Sequence, residues 1–395
     1  MSPASSILTH LSELPIDEFL KNYWQQHAVF LPQALAGFHS PLSPDELAGL
    51  ALEEVIESRL IIHDDQAPWQ LKTGPFTKRD FAELPAEQWS LLVQAVDHWE
   101  PQVADLLDKF RFIPNWRLDD VMVSYAPTGG SAGPHFDYYD VFLVQGAGTR
   151  EWHIGQRCDS TSPRLEGTDL NILRDFTTEA TYVAQPGDVL YIPPGVAHWG
   201  TALDDECMTY SIGFRAPSEA DILDEFGQHI AATLTNDNRY KDQNARASTS
   251  PGAIDIAVIE QLQKQLISHL TPANIAQWFG RYMTEPKLAL ESTPENITRQ
   301  KWQQWLKRNA QAERELGARF CYFTDDNATT LFVDGQAFSC SAPLAAALSN
   351  QRQWSIKSLD ALLSNDTDTS LVMQLLTDNT LVIIDNEDEL DDEQS

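Results

Sequence analysis

Cysteine is scarce and scattered. The four thiols, Cys158, Cys207, Cys321 and Cys340, include no CxxC pair, so neither a zinc knuckle nor a disulfide framework is supported and they read as buried thiols. Positive charge is also short, with 27 Lys+Arg against 58 Asp+Glu and a formal net charge of -31. Such a surface repels phosphates, which argues against direct DNA binding and suits either a cationic partner or plain solubility, the more ordinary use. No apolar run approaches the roughly 20 residues that a membrane helix needs, and the opening MSPASSILTHLSEL lacks a basic segment followed by a hydrophobic one. A cytoplasmic protein without membrane contact is expected. What is present is a 42% hydrophobic fraction over 395 residues, enough for two or three globular domains at roughly 150 residues each.

From Ile16 to about Pro114 the text is mostly helical with short strands. FLKNYWQQHAVFLP joins a helix to an apolar strand, and SPDELAGLAL opens with an N-cap serine; the region reads as a cap beside a larger core. Between Val121 and Phe214 the short runs VMVSYA, YDVFLVQGAG, TREWHIG, ATYVAQPGDVLYIPPG and CMTYSIGF are broken by Gly, Pro and Asp, which predicts an antiparallel sandwich or barrel. After Pro217, Ile222, Leu223, Phe226 and Ile230 recur at helical spacing, and Asn236 to Gly252 is polar and aperiodic, a linker or mobile loop. A second helical stripe holds Val258, Ile259, Leu262, Leu266, Ile267 and Leu270 and suits self-association or packing on the main domain. From Ala318, ARFCYFTD and ATTLFVDGQAFSCS predict a hairpin, followed by short helices and TSLVMQLLTDNTLVIID, the pattern of a small winged-helix module. Such modules usually bind DNA, but no Lys or Arg follows Lys357, so a structural or protein-docking role is expected. The acidic tip from Asp385 to Glu393 reads as a solvated tail.

The strongest signal lies in GGSAGPHFDYYDVFLVQGAGTREW and, later, QPGDVLYIPPGVAHWG. On a strand, side chains alternate, so His135 and Asp137 project toward one point while Phe136 enters the other face. His198, just after Pro193-Pro194-Gly195, supplies a third donor from a distant strand. Two imidazoles and one carboxylate on one side of a metal leave the other side open, the arrangement of non-haem Fe(II) oxygenases. Each histidine taken singly would be an ordinary hydrogen-bonded side chain; the two motifs in order on predicted strands favour the ligand reading. A cosubstrate such as 2-oxoglutarate also needs a cation for its distal carboxylate. Arg150, on the strand after the Gly146-Ala147-Gly148 turn, has a planar fork suited to that task, and Ser124 can add a hydroxyl donor. Tyr138, Tyr139 and Asp140 are candidates for lining the groove, with sheet packing as the plainer alternative.

The spacing from Gly129 to His135 and from Gly187 through Pro193 and Gly195 to His198 resembles the two metal-binding motifs of the cupin superfamily, with Asp137 where many cupins carry a second histidine. HFD, YDVFLVQGAGTREW and PGDVLYIPPGVAHWG resemble the JmjC-type ribosomal oxygenases, over most of the chain. The resemblance implies a mainly β catalytic core, a double-stranded β-helix of cupin/JmjC type with added helices, then a helical dimerisation segment and a C-terminal winged-helix-like module, α+β overall. It places the JmjC-type domain with its N-terminal cap at 1–216, the dimerisation segment at 217–305 and the winged-helix-like domain with the acidic tail at 306–395. His135, Asp137 and His198 would match the iron ligands, Arg150 the binder of the 2-oxoglutarate C5 carboxylate and Ser124 a further cosubstrate contact. The implied reaction is Fe(II)- and 2-oxoglutarate-dependent hydroxylation of an arginine side chain on the sixteenth large-subunit ribosomal protein. Histidine hydroxylation of a ribosomal protein and JmjC-type protein demethylation are the alternatives. The implied partners are a basic ribosomal protein, which the negative charge would attract, and a second copy in a homodimer.

Overall fold

The structure, a computed structural model, describes residues 7–63, 69–242, 247, 249–288, 297–326 and 328–384. The acidic tip and residues 243–246 and 248 of the polar stretch lie outside the described residues. The chain divides into two units, Met1–Ala216 and Pro217–Ser395.

The first unit opens with a tight hairpin, β1 (His10–Leu11) and β2 (Leu14–Pro15), then α1 (Ile16–Asn22) and β3 (Val29–Leu31). In α2 (Pro44–Leu50) the serine of SPDE caps as its sequence predicts. Its side chain accepts from the Glu46 N–H, and the Glu46 carboxylate accepts from the Ser43 N–H. There follow β4 (Ser58–Ile62), β5 (Gln70–Thr73), α3 (Lys78–Ala82), β6 (Trp89–Val93) and α4 (Pro101–Asp108). The motif-bearing region supplies β7 (Leu118–Ala126), β8 (Val141–Ala147), β9 (Arg150–Arg157), β10 (Thr178–Ala184), β11 (Val189–Ile192), β12 (Val196–Ala202) and β13 (Cys207–Phe214). These strands form an eight-stranded sheet in the order β3-β11-β8-β13-β7-β6-β4-β5 and a three-stranded sheet in the order β10-β9-β12.

The continuous apolar run VFLV in β8 shows how the layers stack. Phe142 and Val144 belong to the large cluster with Phe19, Phe110 and Tyr191, whereas Val141 and Leu143 pack with Trp152 and Ile154 of the small sheet. A strand covered on both faces loses the apolar-polar alternation of a half-buried one. This is the expected mainly β, cupin-like core. Residues 16–114 carry more strand than their sequence suggests: β3 forms one edge of the large sheet, and β6, β4 and β5 extend the other. Their runs VFL, SRLII and WSLLV are too short to show a period, and they find partners only once β7 and β11 are in place.

The second unit contains α5 (Glu219–Thr233), α6 (Ile256–His269), α7 (Pro272–Thr284), α8 (Arg299–Arg308) and β14 (Gln311–Arg314). The hairpin expected after Ala318 is a three-stranded meander, β15 (Phe320–Thr324), β16 (Thr329–Val333) and β17 (Gln336–Ser339). The third strand follows from the Asp334-Gly335 turn, where both residues have positive φ. Next come α9 (Ala342–Asn350), β18 (Gln353–Ser355), α10 (Ile356–Asp360), α11 (Asp366–Thr377) and β19 (Leu381–Ile384). One apolar cluster, with Trp302, Leu331, Leu344, Ile356 and Leu375, holds this module together. The stretch from 234 to 255 contributes no helix or strand among its described residues.

Candidate metal centre and cosubstrate pocket

The local backbone around the first motif departs from the expected strand. Residues between β7 and β8 are irregular, β8 begins only at Val141, and His135 makes only an isolated antiparallel bridge with His198 of β12. Its two hydrogen bonds, His135 N–H to the His198 carbonyl at 3.0 Å and the reverse at 2.8 Å, preserve the alternation that matters. Phe136 turns away to pack with Leu173 and Ala197, while His135 and Asp137 face the same space. Two glycines make the loop possible. Gly133 has φ +78°, and a Cβ there would lie 2.3 Å from the Ile172 side chain. Gly195 of the Pro-Pro-Gly turn has φ +76° and donates its N–H to the Asp137 carbonyl at 2.7 Å, tying the second motif to the first. Glycine takes such backbone angles more readily than any residue with a side chain.

The ligand atoms of His135, Asp137 and His198 all lie within 4.8 Å of one another, a grouping that can hold one metal ion. Both imidazoles are set for coordination by their backbones. Nδ1 of His135 is 2.8 Å from the Gly133 carbonyl and Nδ1 of His198 is 3.1 Å from the Val196 carbonyl. A carbonyl only accepts, so each Nδ1 carries a proton and Nε2 is the ring nitrogen left for a metal. The His198 Nε2 stands 3.7 Å from the Asp137 carboxylate. Burial, aided by the neighbouring His135 and opposed by Asp137, lowers the His198 pKa to about 4. The ring is therefore neutral at physiological pH, and a metal has no proton to displace from it.

Beside this group is a cavity of about 280 Å³, whose lining includes all three candidate ligands together with Ser124, Arg150, Trp152 and Thr209. Arg150, at the start of β9, is only 4% exposed. Its Nε donates to the Cys207 sulfur at 3.3 Å and its guanidinium carbon lies 5.5 Å from the Trp152 ring centroid, while Nη2 has no partner. A buried cation with an unmatched donor is costly in isolation and calls for an anion. The Ser124 hydroxyl reaches the Thr209 carbonyl only at 3.5 Å, a weak bond that leaves it free to serve a ligand. The sequence reading passed over Trp152 and Thr209. Trp152 could have been found, because it follows Arg150 by two residues and so shares its face; nothing local marks Thr209.

The three groove candidates separate. Tyr139 lines the cavity, and Tyr138 is 57% exposed. Asp140 is fully buried and accepts from Arg117 at 2.8 Å, Tyr191 at 2.6 Å and Gln25 at 3.1 Å. It is a structural carboxylate, since three donors from distant elements satisfy it inside the fold.

Comparison with known proteins agrees with this architecture. The JmjC domain family matches residues 105–222, and the ROXA-like winged helix family matches residues 261–381. The ribosomal protein uL16 3-hydroxylase of Escherichia coli (strain K12) is 37% identical over 278 residues, which cover 70% of this chain and 73% of that protein. The chain belongs to the JmjC-type ribosomal oxygenase family. The probable ribosomal oxygenase of Haemophilus influenzae is 40% identical to this oxygenase over 207 residues, 52% of the chain and 51% of the relative. The X-ray structure of E. coli YcfD matches the oxygenase with a TM-score of 0.87 at 31% identity, covering 95% of this chain and 100% of that one. The same ribosomal oxygenase in complex with cobalt and 2-oxoglutarate matches with a TM-score of 0.84 at 30% identity, with the same coverage. The family resemblance and fold class expected from the motifs are borne out.

Proposed function

We propose that this oxygenase uses Fe(II) and 2-oxoglutarate to hydroxylate an arginine side chain of the ribosomal protein uL16, the sixteenth of the large subunit, in the cytoplasm. The observation that carries the reading is the convergence of two imidazoles and one carboxylate beside a cavity whose lining includes a buried, half-partnered arginine. The donor set suits Fe(II), and the free Nη2 suits a dicarboxylate. His135 and His198 would hold the metal through Nε2 and Asp137 through a carboxylate oxygen. Bound iron, with O2 and 2-oxoglutarate, supplies oxidation of a substrate C–H bond to C–OH, coupled to release of succinate and CO2.

The protein's part is to bind, orient and exclude water. Carbonyls of Gly133 and Val196 fix the imidazole tautomers. Arg150 anchors the C5 carboxylate in a space with little water, where its charge acts more strongly than at a surface, and Ser124 donates to the same ligand. Tyr139, at the cavity wall, packs against the incoming side chain. The net charge of -31 draws a basic ribosomal protein toward the site.

A uL16 preparation lacking the modification, incubated with enzyme, Fe(II), ascorbate and 2-oxoglutarate, is expected to gain the mass of one oxygen on an arginine-containing peptide. Fragmentation spectra place that oxygen. Stoichiometric succinate formation with the oxygen on histidine would redirect the assignment to histidine hydroxylation. Demethylation of an N-methylated peptide without any gain on uL16 would redirect it to the demethylase class.

The segment 217–305 is proposed to join two copies, through α6. None of its described residues is buried, and Ile259, Leu262 and Leu266 are 49%, 39% and 70% exposed. A stripe of this kind is unfavourable in water and favours an apolar partner. Leu262→Glu combined with Leu266→Glu is expected to convert a dimer into a monomer in sedimentation equilibrium; a wild type that is monomeric at micromolar concentration would remove the proposal. No helix among the described residues is long and apolar enough to cross a membrane.

A further inference from the structure

The cosubstrate reading leaves open what holds the Arg150 fork in place. Arg150 lies opposite Ala184 and Ala202 on the neighbouring strands, and neither side chain can hold a guanidinium. Two other groups touch it: the Trp152 ring, and the sulfur of Cys207, which accepts from Nε at 3.3 Å. Cys207 is fully buried at the start of β13 and packs with Ala126 and Ala202. The same sulfur receives a second contact, from the Gln145 amide at 3.5 Å. Gln145 is itself fixed, because its amide also donates to the Ala147 carbonyl at 2.7 Å and its carbonyl oxygen accepts from the Thr209 hydroxyl at 3.0 Å. Thr209, Gln145 and Cys207 therefore form a buried chain that ends on the Nε edge of the arginine.

The choice of sulfur has a chemical logic. A carboxylate at this position would pair with Arg150 and compete with the cosubstrate, while an alkyl group would leave Nε unmatched. A thiol is a weak, uncharged acceptor. It engages one edge of the planar fork without neutralising its charge, and Nη2 remains without a protein partner.

We infer that Cys207 is a positioning residue for the cosubstrate: held by Gln145, its sulfur sets the plane of the Arg150 fork that receives the distal carboxylate. The inference rests on Arg150 being the carboxylate binder. Its test is titration calorimetry of 2-oxoglutarate into the full chain loaded with Mn(II), which binds the cosubstrate without turnover. In the wild-type background Cys207→Ala is expected to weaken 2-oxoglutarate about tenfold, the scale of one hydrogen bond to a charged donor. Cys207→Ser, which restores an acceptor, is expected to recover most of that loss, and Mn(II) affinity stays the same throughout. In an Arg150→Lys background, which has no Nε at that position, Cys207→Ala is expected to add nothing, the mark of a coupled pair. Equal losses in both backgrounds would mean that Cys207 acts by packing alone and would overturn the inference, as would no loss in either. Full cosubstrate affinity in Arg150→Ala would overturn the assignment of Arg150, and the role of Cys207 with it.

Discussion

Replacing His198 with alanine is expected to lower hydroxylation by at least about 10³-fold, equivalent to roughly 4 kcal/mol of transition-state stabilisation. The loss follows from the metal, not from the fold. The hydrogen bonds that join the two motifs at this point run between the main chains of His135 and His198, at 3.0 and 2.8 Å, and alanine keeps both. What disappears is one of three donors together with the neutral, buried lone pair that burial and His135 maintain by lowering the ring's pKa to about 4. His135 and Asp137 alone leave a two-donor site, which binds a divalent ion too weakly to survive dialysis. The cavity left by the ring costs of order 2 kcal/mol, so the variant should still fold, with a lower unfolding midpoint. Elemental analysis after dialysis, circular dichroism and succinate release measured on one preparation separate these effects. A folded variant that retained its iron and lost only activity would exclude His198 as a ligand.

Arg150→Ala is expected to raise the dissociation constant for 2-oxoglutarate about 10²-fold or more while metal content stays at the wild-type level. Truncating one member of a buried charged pair costs about 2–5 kcal/mol, much of it from leaving the other charge unmatched. The ligand-free protein should behave differently. There Arg150 is already buried with Nη2 unpartnered, so removing it relieves a desolvated cation and the ligand-free unfolding midpoint changes little. The stabilisation that 2-oxoglutarate confers on the wild type should vanish in the variant at the same ligand concentration. Calorimetric titration and thermal unfolding with and without ligand test both halves. An unchanged dissociation constant would place the distal carboxylate elsewhere.

Legibility in the sequence followed the range of the interactions. His135 and Asp137 could be paired from spacing alone, because residues two apart in an extended backbone share a face, and this held even though the segment is a loop with a single bridge to β12. His198 was legible through its Pro-Pro-Gly turn, whose Gly195 N–H binds the Asp137 carbonyl. That Asp140 packs inside the fold, the plainer of its two readings, could not be decided from sequence because its partners, Gln25, Arg117 and Tyr191, are 115, 23 and 51 positions away, beyond any local pattern. The strands before Leu118 were under-read for a similar reason: runs of three to five residues show no reliable period, and their pairing with β7 and β11 is decided across the sheet.

By itself the sequence determined the donor types, their order and the glycines that let a loop and a turn carry them, because covalent spacing and backbone sterics are local properties. Only the tertiary structure decided that the Thr209, Gln145 and Cys207 side chains meet behind Arg150, and that one guanidinium nitrogen is left without a partner beside the cavity. Those contacts join β8, β9 and β13, and which side chains meet across strands depends on register, which the packing of the whole sheet fixes.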